Sequence, residues 1–347
     1  MNEKQKKVMV GMSGGIDSSV TAYMLQKEGY EVEGVYLKLH NRTDGYHERN
    51  LGYIEDVAKF LNIKYYILDL ADKFTAEIYD YFVDSYLQGT TPNPCVKCNK
   101  QIKFGAMLKF AQEHGADFLA TGHYAKTDGE FFYEADDKTK DQSYFLSQVD
   151  KEALKYMMFP LSTYKKEDIV KFGADLDVTY KKITEKSESQ EICFVETVYT
   201  DVIKKHANID QEGDVLDKNG KVVGKHKGFA HYTIGKRRGF TVHGAHDPHF
   251  VTKLNPQDNT IVVGKKEALE VNKVVGTNLN MFINKTEFSC NVKLRYRSIS
   301  TPCKVKIENQ KAYITLEEPA FGVAAGQLAV FYDGQKVIGS AWIESAN

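Results

Sequence analysis

The stretch VMVGMSGGIDSSVTAYMLQKEG, residues 8–29, decides how the N-terminal half folds. Residues 8–12 are a short apolar run that ends in glycine and serine. Residues 18–29 then carry helical spacing, closed by Gly29. A strand that turns through glycines into a helix gathers backbone N–H groups and the positive end of a helix dipole at one place, where phosphate can be held. Gly14 and Gly15 let the main chain approach an anion, and the Ser13 and Ser18 hydroxyls add donors. No Gly-Lys-Ser/Thr follows, so this is not a Walker A loop, and it is not G-x-G-x-x-G either. Taken alone, a Gly/Ser turn at a strand end is often only a tight connection.

Outward from that stretch the rhythm repeats. Residues 31–39, 64–70 and 116–122 read as strands, and 51–61, 73–87 and 103–114 as helices. Strand and helix alternating in this way predict a parallel sheet covered by helices on both faces. After about residue 200 the pattern changes. Residues 213–228 carry two turn signals, Lys218-Asn219-Gly220 and Gly224-Lys225, among short strands. From 271 onward short alternating stretches are separated by regular turns, with Asp333-Gly334 as a hairpin turn, which predicts a small all-β barrel or sandwich. A chain of 347 residues exceeds one ordinary core. The predicted division is 1–203, 204–270 and 271–347.

With 42% hydrophobic and 27% charged residues, the composition is that of a soluble globular protein. The start has no apolar core of signal-peptide length, and no run approaches the roughly 18 apolar residues of a membrane helix. A cytoplasmic location is therefore expected. The net charge of −1 hides an asymmetry. Residues 204–347 hold 21 Lys and Arg against 14 Asp and Glu, a net of +7, whereas residues 1–203 hold 25 against 33, a net of −8. The split hints at a polyanionic partner for the C-terminal part, against the plainer reading of chance imbalance. Five cysteines, at 95, 98, 193, 290 and 303, argue against a disulfide scaffold and for reduced thiols.

Two cysteine segments carry chemistry. In Thr91-Pro92-Asn93-Pro94-Cys95-Val96-Lys97-Cys98-Asn99 the prolines predict a rigid extended loop. Cys98 is expected just ahead of a helix, where the N-terminus with Lys97 and Lys100 favours a thiolate. The alternatives are a C-x-x-C metal knuckle or an inert buried thiol. In Ser189-Gln190-Glu191-Ile192-Cys193-Phe194, a cysteine flanked by Ile and Phe is by itself more often a packed apolar side chain than a reactive one.

The string Ser-Gly-Gly-x-Asp-Ser after a first strand resembles the pyrophosphate loop of the N-type ATP pyrophosphatases. With it, GMSGGIDSS, TPNPCVKCNKQIKF, ATGHY, KDQSYFL and EICF resemble, in the same order, the motifs of the bacterial tRNA-specific 2-thiouridylases. The tail, with LRYRS, Thr301-Pro302-Cys303 and AFGVAAGQLAVFY, extends the likeness over essentially the whole chain. The resemblance implies an α/β fold: an N-type ATP pyrophosphatase domain with a parallel sheet, a small middle domain and a C-terminal β-barrel that contacts tRNA. It implies that Gly11, Met12, Ser13, Gly14, Gly15, Ile16, Asp17 and Ser18, with Leu37 and Gly122, bind ATP, and that Asp17 places magnesium. Asn93, Pro94 and Cys95 approach the target base. Lys140, Asp141, Gln142, His123, Arg295, Tyr296 and Gln327 match positions that touch tRNA. Cys98 matches the catalytic nucleophile and Cys193 the thiol that receives sulfur as a persulfide from a donor protein.

The chemistry this implies is adenylation of the wobble uracil 2-oxygen, which turns a poor leaving group into a good one, and then delivery of the persulfide sulfur to C2. Cys98 either releases that sulfur by forming a disulfide with Cys193 or assists as a nucleophile. Cys95 is a departure, since many family members carry Asp there. It creates a third thiol, and Cys95, Cys98 and Cys193 offer an alternative iron–sulfur-dependent reading. The other rivals are an adenylating ligase for a small substrate, which has no need of the cysteine pair, and a tRNA-binding protein that has lost catalysis.

Overall fold

The computed structural model describes residues 5–41, 44–185, 192–244 and 246–347. They form two compact units. The first comprises Met1–Ile78, Cys95–Gln190 and Gln335–Ile338, and the second Tyr79–Pro94, Glu191–Gly334 and Gly339–Asn347.

The first unit holds seven strands: β1 (Lys7–Gly11), β2 (Glu31–Lys38), β3 (Tyr65–Asp69), β4 (Phe118–Ala120), β5 (Ala125–Thr127), β6 (Phe132–Glu134) and β7 (Met157–Met158). Five of them make a sheet in the order β3-β2-β1-β4-β7, and every pair is parallel. Val8, Met9 and Val10 of β1 are fully buried, as a central strand covered on both faces must be. The helix Ile16–Lys27 packs Ile16, Val20 and Leu25 into the same apolar cluster as Val8, Val10, Ile54, Val57 and Tyr180. The strand order reverses between β1 and β4. In open α/β sheets, ligands bind at the carboxyl ends of the strands at such a point. Strands β5 and β6 form a separate hairpin, which pairs with Lys336 and Val337.

Two helices begin earlier than the apolar spacing predicts. The helix over 51–61 runs Tyr46–Leu61, because His47 and Asn50 are polar yet buried, and His47 Nδ1 pairs with Tyr36 Oη at 2.7 Å. The helix over 103–114 begins at Pro94. It runs as a turn Pro94–Cys98, a stretch Asn99–Met107 wound with π-type i→i+5 bonds, and a final turn Leu108–Glu113. Strand β7, only two residues long, gives no periodic signal in the sequence.

In the second unit, β8 (Gly213–Leu216), β9 (Val222–His226), β10 (Phe250–Asn255) and β11 (Thr260–Gly264) form a sheet in the order β10-β11-β8-β9 around Val215, Tyr232, Val251, Ile261 and Val263. Gly220 turns with φ 82°, as read from the sequence. Gly224, read as a second turn, lies instead within β9, where a Cβ would run into the Thr241 carbonyl oxygen. Strands β12 (Glu270–Met281), β13 (Glu287–Lys293), β14 (Thr301–Glu308), β15 (Lys311–Phe321), β16 (Leu328–Asp333) and β17 (Lys336–Ala346) follow in the order β12-β15-β14-β13-β16-β17. Pairing of β17 back onto β12 closes the barrel and leaves neither strand as an open edge. Gly334, at φ 61°, makes the turn between β16 and β17.

Candidate active site

The loop from Gly11 to Gly15 leaves the end of β1 and enters the helix Ile16–Lys27 with no side-chain cap on its first turn, which leaves backbone N–H groups open to an anion. Gly14 sits at φ 73°, where a Cβ would lie 2.9 Å from the Asn50 carbonyl oxygen, so only glycine fits. Met12 N–H donates to the Val35 carbonyl at 2.8 Å, fixing the loop to β2, whose Leu37 lies in register with Leu68 near the carboxyl end of the strand. The Ser18 hydroxyl donates to the Gly15 carbonyl at 3.0 Å and accepts from Ser13 N–H at 3.1 Å, while Ser13 itself is exposed. Just past β4, a Cβ on Gly122 would lie 2.8 Å from Asp17 Cβ and 3.0 Å from Ser18 N. Gly122 thus closes directly on the loop at the reversal point of the sheet.

Sequence reasoning missed Lys166. This buried lysine, at the start of the helix Lys166–Leu176, donates to Asp17 Oδ1 at 2.8 Å and Oδ2 at 2.7 Å, and Tyr124 Oη donates to Oδ1 at 2.9 Å. A lysine in the charged run Lys165-Lys166-Glu167-Asp168 gives no signal in sequence; the fold alone carries it to the loop. With both oxygens of Asp17 already facing an ammonium, this carboxylate does not fit a magnesium ligand as arranged. Among the described residues no three His, Cys, Asp or Glu side chains gather to hold a metal ion.

Cys98 does not lie ahead of a helix. It ends the turn Pro94–Cys98 and is buried within a continuous helical run. Burial pushes its thiol up to about 11, against the lowering effect of Lys103, so the expected resting thiolate is not what the structure shows. Cys95 is exposed, yet the protein packed around it also raises its thiol, with Lys103 again opposing. His123 is buried. Its Nε2 lies 3.2 Å from Lys103 Nζ and its Nδ1 2.7 Å from Thr121 Oγ1. The segment after β6 also turns inward. Asp141 is buried and accepts from Ala135 N–H at 2.9 Å and Ser143 Oγ at 2.8 Å. Gln142 Oε1 accepts from Tyr124 N–H at 3.0 Å. Asp141, matched to an RNA contact, therefore shapes its own segment. Beside it, Lys140 is half-buried.

In the second unit, Cys193 is exposed, contrary to the packed thiol its neighbours predict. The neighbours do the packing: Phe194 sits 5.0 Å from the Phe82 ring and 5.4 Å from the Tyr79 ring, in a cluster that Ile192 and Val195 also join. Ser189, Gln190 and Glu191 of the same motif lie outside the described residues. Asn93 and Pro94 are buried, and Asn93 N–H donates to Tyr81 Oη at 3.3 Å. Gln327 Nε2 donates to the carbonyls of Thr91 and Pro92 at 3.0 and 3.1 Å. In this structure its amide grips protein backbone. Arg295 is exposed on the loop between β13 and β14, with half-buried Tyr296 beside it.

A parallel sheet with a glycine-rich loop at its reversal point, followed by a β-barrel, defines a HUP-domain protein with appended β-domains. Three family models match in order: a tRNA methyl transferase HUP domain at residues 6–197, a tRNA methyl transferase PRC-barrel domain at 200–265, and an aminomethyltransferase β-barrel domain at 271–343. The chain is 88% identical to the tRNA-specific 2-thiouridylase MnmA 1 of Aliarcobacter butzleri over 98% of its length and 99% of that protein. It is 55% identical to MnmA of Sulfurimonas denitrificans over 98% and 99%, and 54% identical to MnmA of Campylobacter jejuni serotype O:6 over 97% and 100%. The chain belongs to the tRNA-specific 2-thiouridylase family.

Proposed function

We propose that the chain catalyses ATP-dependent 2-thiolation of the wobble uridine of tRNA, releasing AMP and pyrophosphate. The observation that carries the reading is the loop 11–18, closed by Gly122 and Lys166 at the sheet's reversal point, in the same unit as Cys98. In this reading ATP, as its magnesium complex, is a substrate. Its phosphates lie against Ser13, Gly14, Gly15 and the first turn at Ile16–Ser18, with Gly11, Met12, Leu37 and Gly122 around the nucleoside. Loop N–H groups and the Lys166 ammonium stabilise charge on the departing pyrophosphate.

The uracil 2-oxygen attacks the α-phosphorus of ATP, forming an O–P bond as pyrophosphate leaves. Exposed Cys193 carries a persulfide loaded by a sulfur-donor protein. The Cys98 thiolate attacks the Cys193 sulfur, the persulfide S–S bond breaks, and the released sulfide adds to C2. Loss of AMP leaves 2-thiouridine, a Cys98–Cys193 disulfide and a need for external thiol to reset the enzyme. Asn93, Pro94 and Cys95 face the base. Lys140, Gln142, Arg295 and Tyr296 hold tRNA, and His123 and Gln327 act on it through the segments they fix. Catalysis in 1–203, a connecting role for 204–270 and tRNA contact by 271–347 complete the proposal. The iron–sulfur alternative is not favoured, since no three thiols gather among the described residues.

The test is incubation of the purified chain with an unmodified tRNA transcript, ATP and a persulfide donor, followed by nucleoside mass spectrometry. ATP-dependent 2-thiouridine is expected. Its absence, or its formation without AMP release, overturns the proposal.

A further inference from the structure

Sulfur transfer needs a thiolate, and the structure buries Cys98 where a thiolate is costly. The π-wound stretch that follows supplies a countercharge. Lys103 is five residues beyond Cys98, and i→i+5 winding stacks residues at that separation on one face, whereas α-winding would turn Lys103 away. The Lys103 charge reaches both Cys95 and Cys98, and it opposes burial at each. Its ammonium is held in place. A lysine only donates, so His123 Nε2, 3.2 Å away, accepts, and the imidazole proton sits on Nδ1 and donates to Thr121 Oγ1 at 2.7 Å. Burial, with Lys103 beside it, keeps His123 well below the usual histidine range, so it serves as a neutral acceptor. The Phe104 and Phe159 rings, 5.8 and 6.1 Å from the imidazole, wall this corner with apolar surface, which strengthens a charge's reach.

We propose that Lys103, anchored by His123 and Thr121, is a positioning residue of the sulfur-transfer step, whose fixed ammonium makes the buried Cys98 ionisable. The proposal rests on the thiolation reading for its purpose, but the coupling of Lys103 to Cys98 can be measured without it. Cys98 alkylation by iodoacetamide at pH 8.5 is followed by mass spectrometry in the wild type, K103M and K103R, with folding checked by circular dichroism. About a tenfold slower labelling is expected in K103M, one pKa unit, with K103R close to wild type. Thiolation kcat should fall in parallel, at unchanged KM for ATP. A purely structural role predicts the opposite sign, since a loosened helix exposes Cys98 and speeds its labelling. Unchanged or faster labelling in folded K103M therefore overturns the proposal. Slower labelling in a chain whose wild type makes no 2-thiouridine keeps the Lys103–Cys98 coupling and removes the thiolation reading instead.

Discussion

Asp17 and Lys166 form an ion pair that ties the helix Lys166–Leu176 to the proposed nucleotide loop. Lys166 is buried and its partner half-exposed, so the pair lies between a surface bridge and a buried one. Lys166→Met should cost about 1–3 kcal/mol in urea unfolding. It should also abolish AMP formation, because the loop loses the ammonium that Asp17 holds beside it while its backbone stays. Normal AMP release from a folded Lys166→Met chain would remove Lys166 from the nucleotide site. Cys95 gives the contrary expectation. It is exposed, so Cys95→Ser and Cys95→Asp should leave packing intact and keep at least about a third of the thiolation rate, well within one pKa-unit equivalent of energy. Cys98→Ser and Cys193→Ser should be inactive. Inactive Cys95 variants that also lose bound iron present in the wild type would restore the cluster reading.

At the scale of elements, part of the candidate site lies where segments touch with no side chain between them. Gly122 presses its backbone on Asp17 and Ser18, so Gly122→Ala must push the loop aside. We expect a loss of about 1–3 kcal/mol in stability and a KM for ATP raised about tenfold or more, with tRNA affinity unchanged. An unaltered KM would show that the loop yields without consequence. Gln327, on the segment leading into β16, holds the Thr91 and Pro92 carbonyls. Nearby, Thr91 N–H donates to the Ala325 carbonyl at 2.9 Å. Gln327→Ala removes two hydrogen bonds, about 1–3 kcal/mol together. If its role is to set the loop before Cys95, thiolation kcat should fall several-fold while tRNA affinity measured by filter binding stays the same. A loss confined to tRNA affinity would return Gln327 to a direct RNA contact.

Over the whole molecule, charge is divided by sequence region, −8 over residues 1–203 and +7 over 204–347. No helix among the described residues is long and apolar enough to cross a membrane. A polyanion bound by the basic part releases counterions, so tRNA affinity should fall steeply and linearly on a log–log plot against salt. Arg295→Ala should weaken tRNA binding about tenfold, reduce that slope by about one, and leave ATP affinity alone, because Arg295 is an exposed backbone-contact candidate remote in sequence from the nucleotide loop. A salt-insensitive complex would sink the electrostatic account.

What the sequence determined by itself was whatever rests on local chemistry. The run 8–12 into Gly14-Gly15 specified a strand, a glycine turn and a helix, because apolar periodicity and glycine's conformational freedom act over a few residues. The parallel sheet and the β-rich tail followed from the same periodicities. Tertiary structure alone decided the protonation and partners of the reactive groups. Cys98 reads as a helix-start thiolate, but becomes a buried thiol because the helix begins at Pro94 and carries it into the interior, where burial outweighs the opposing charge of Lys103. Cys193 reads as a core thiol, but is exposed because Phe194 takes the apolar site. Lys166 carries no signal in the sequence, yet meets Asp17 across 149 residues. Desolvation and charge pairing depend on distances through space, and no local spacing encodes them.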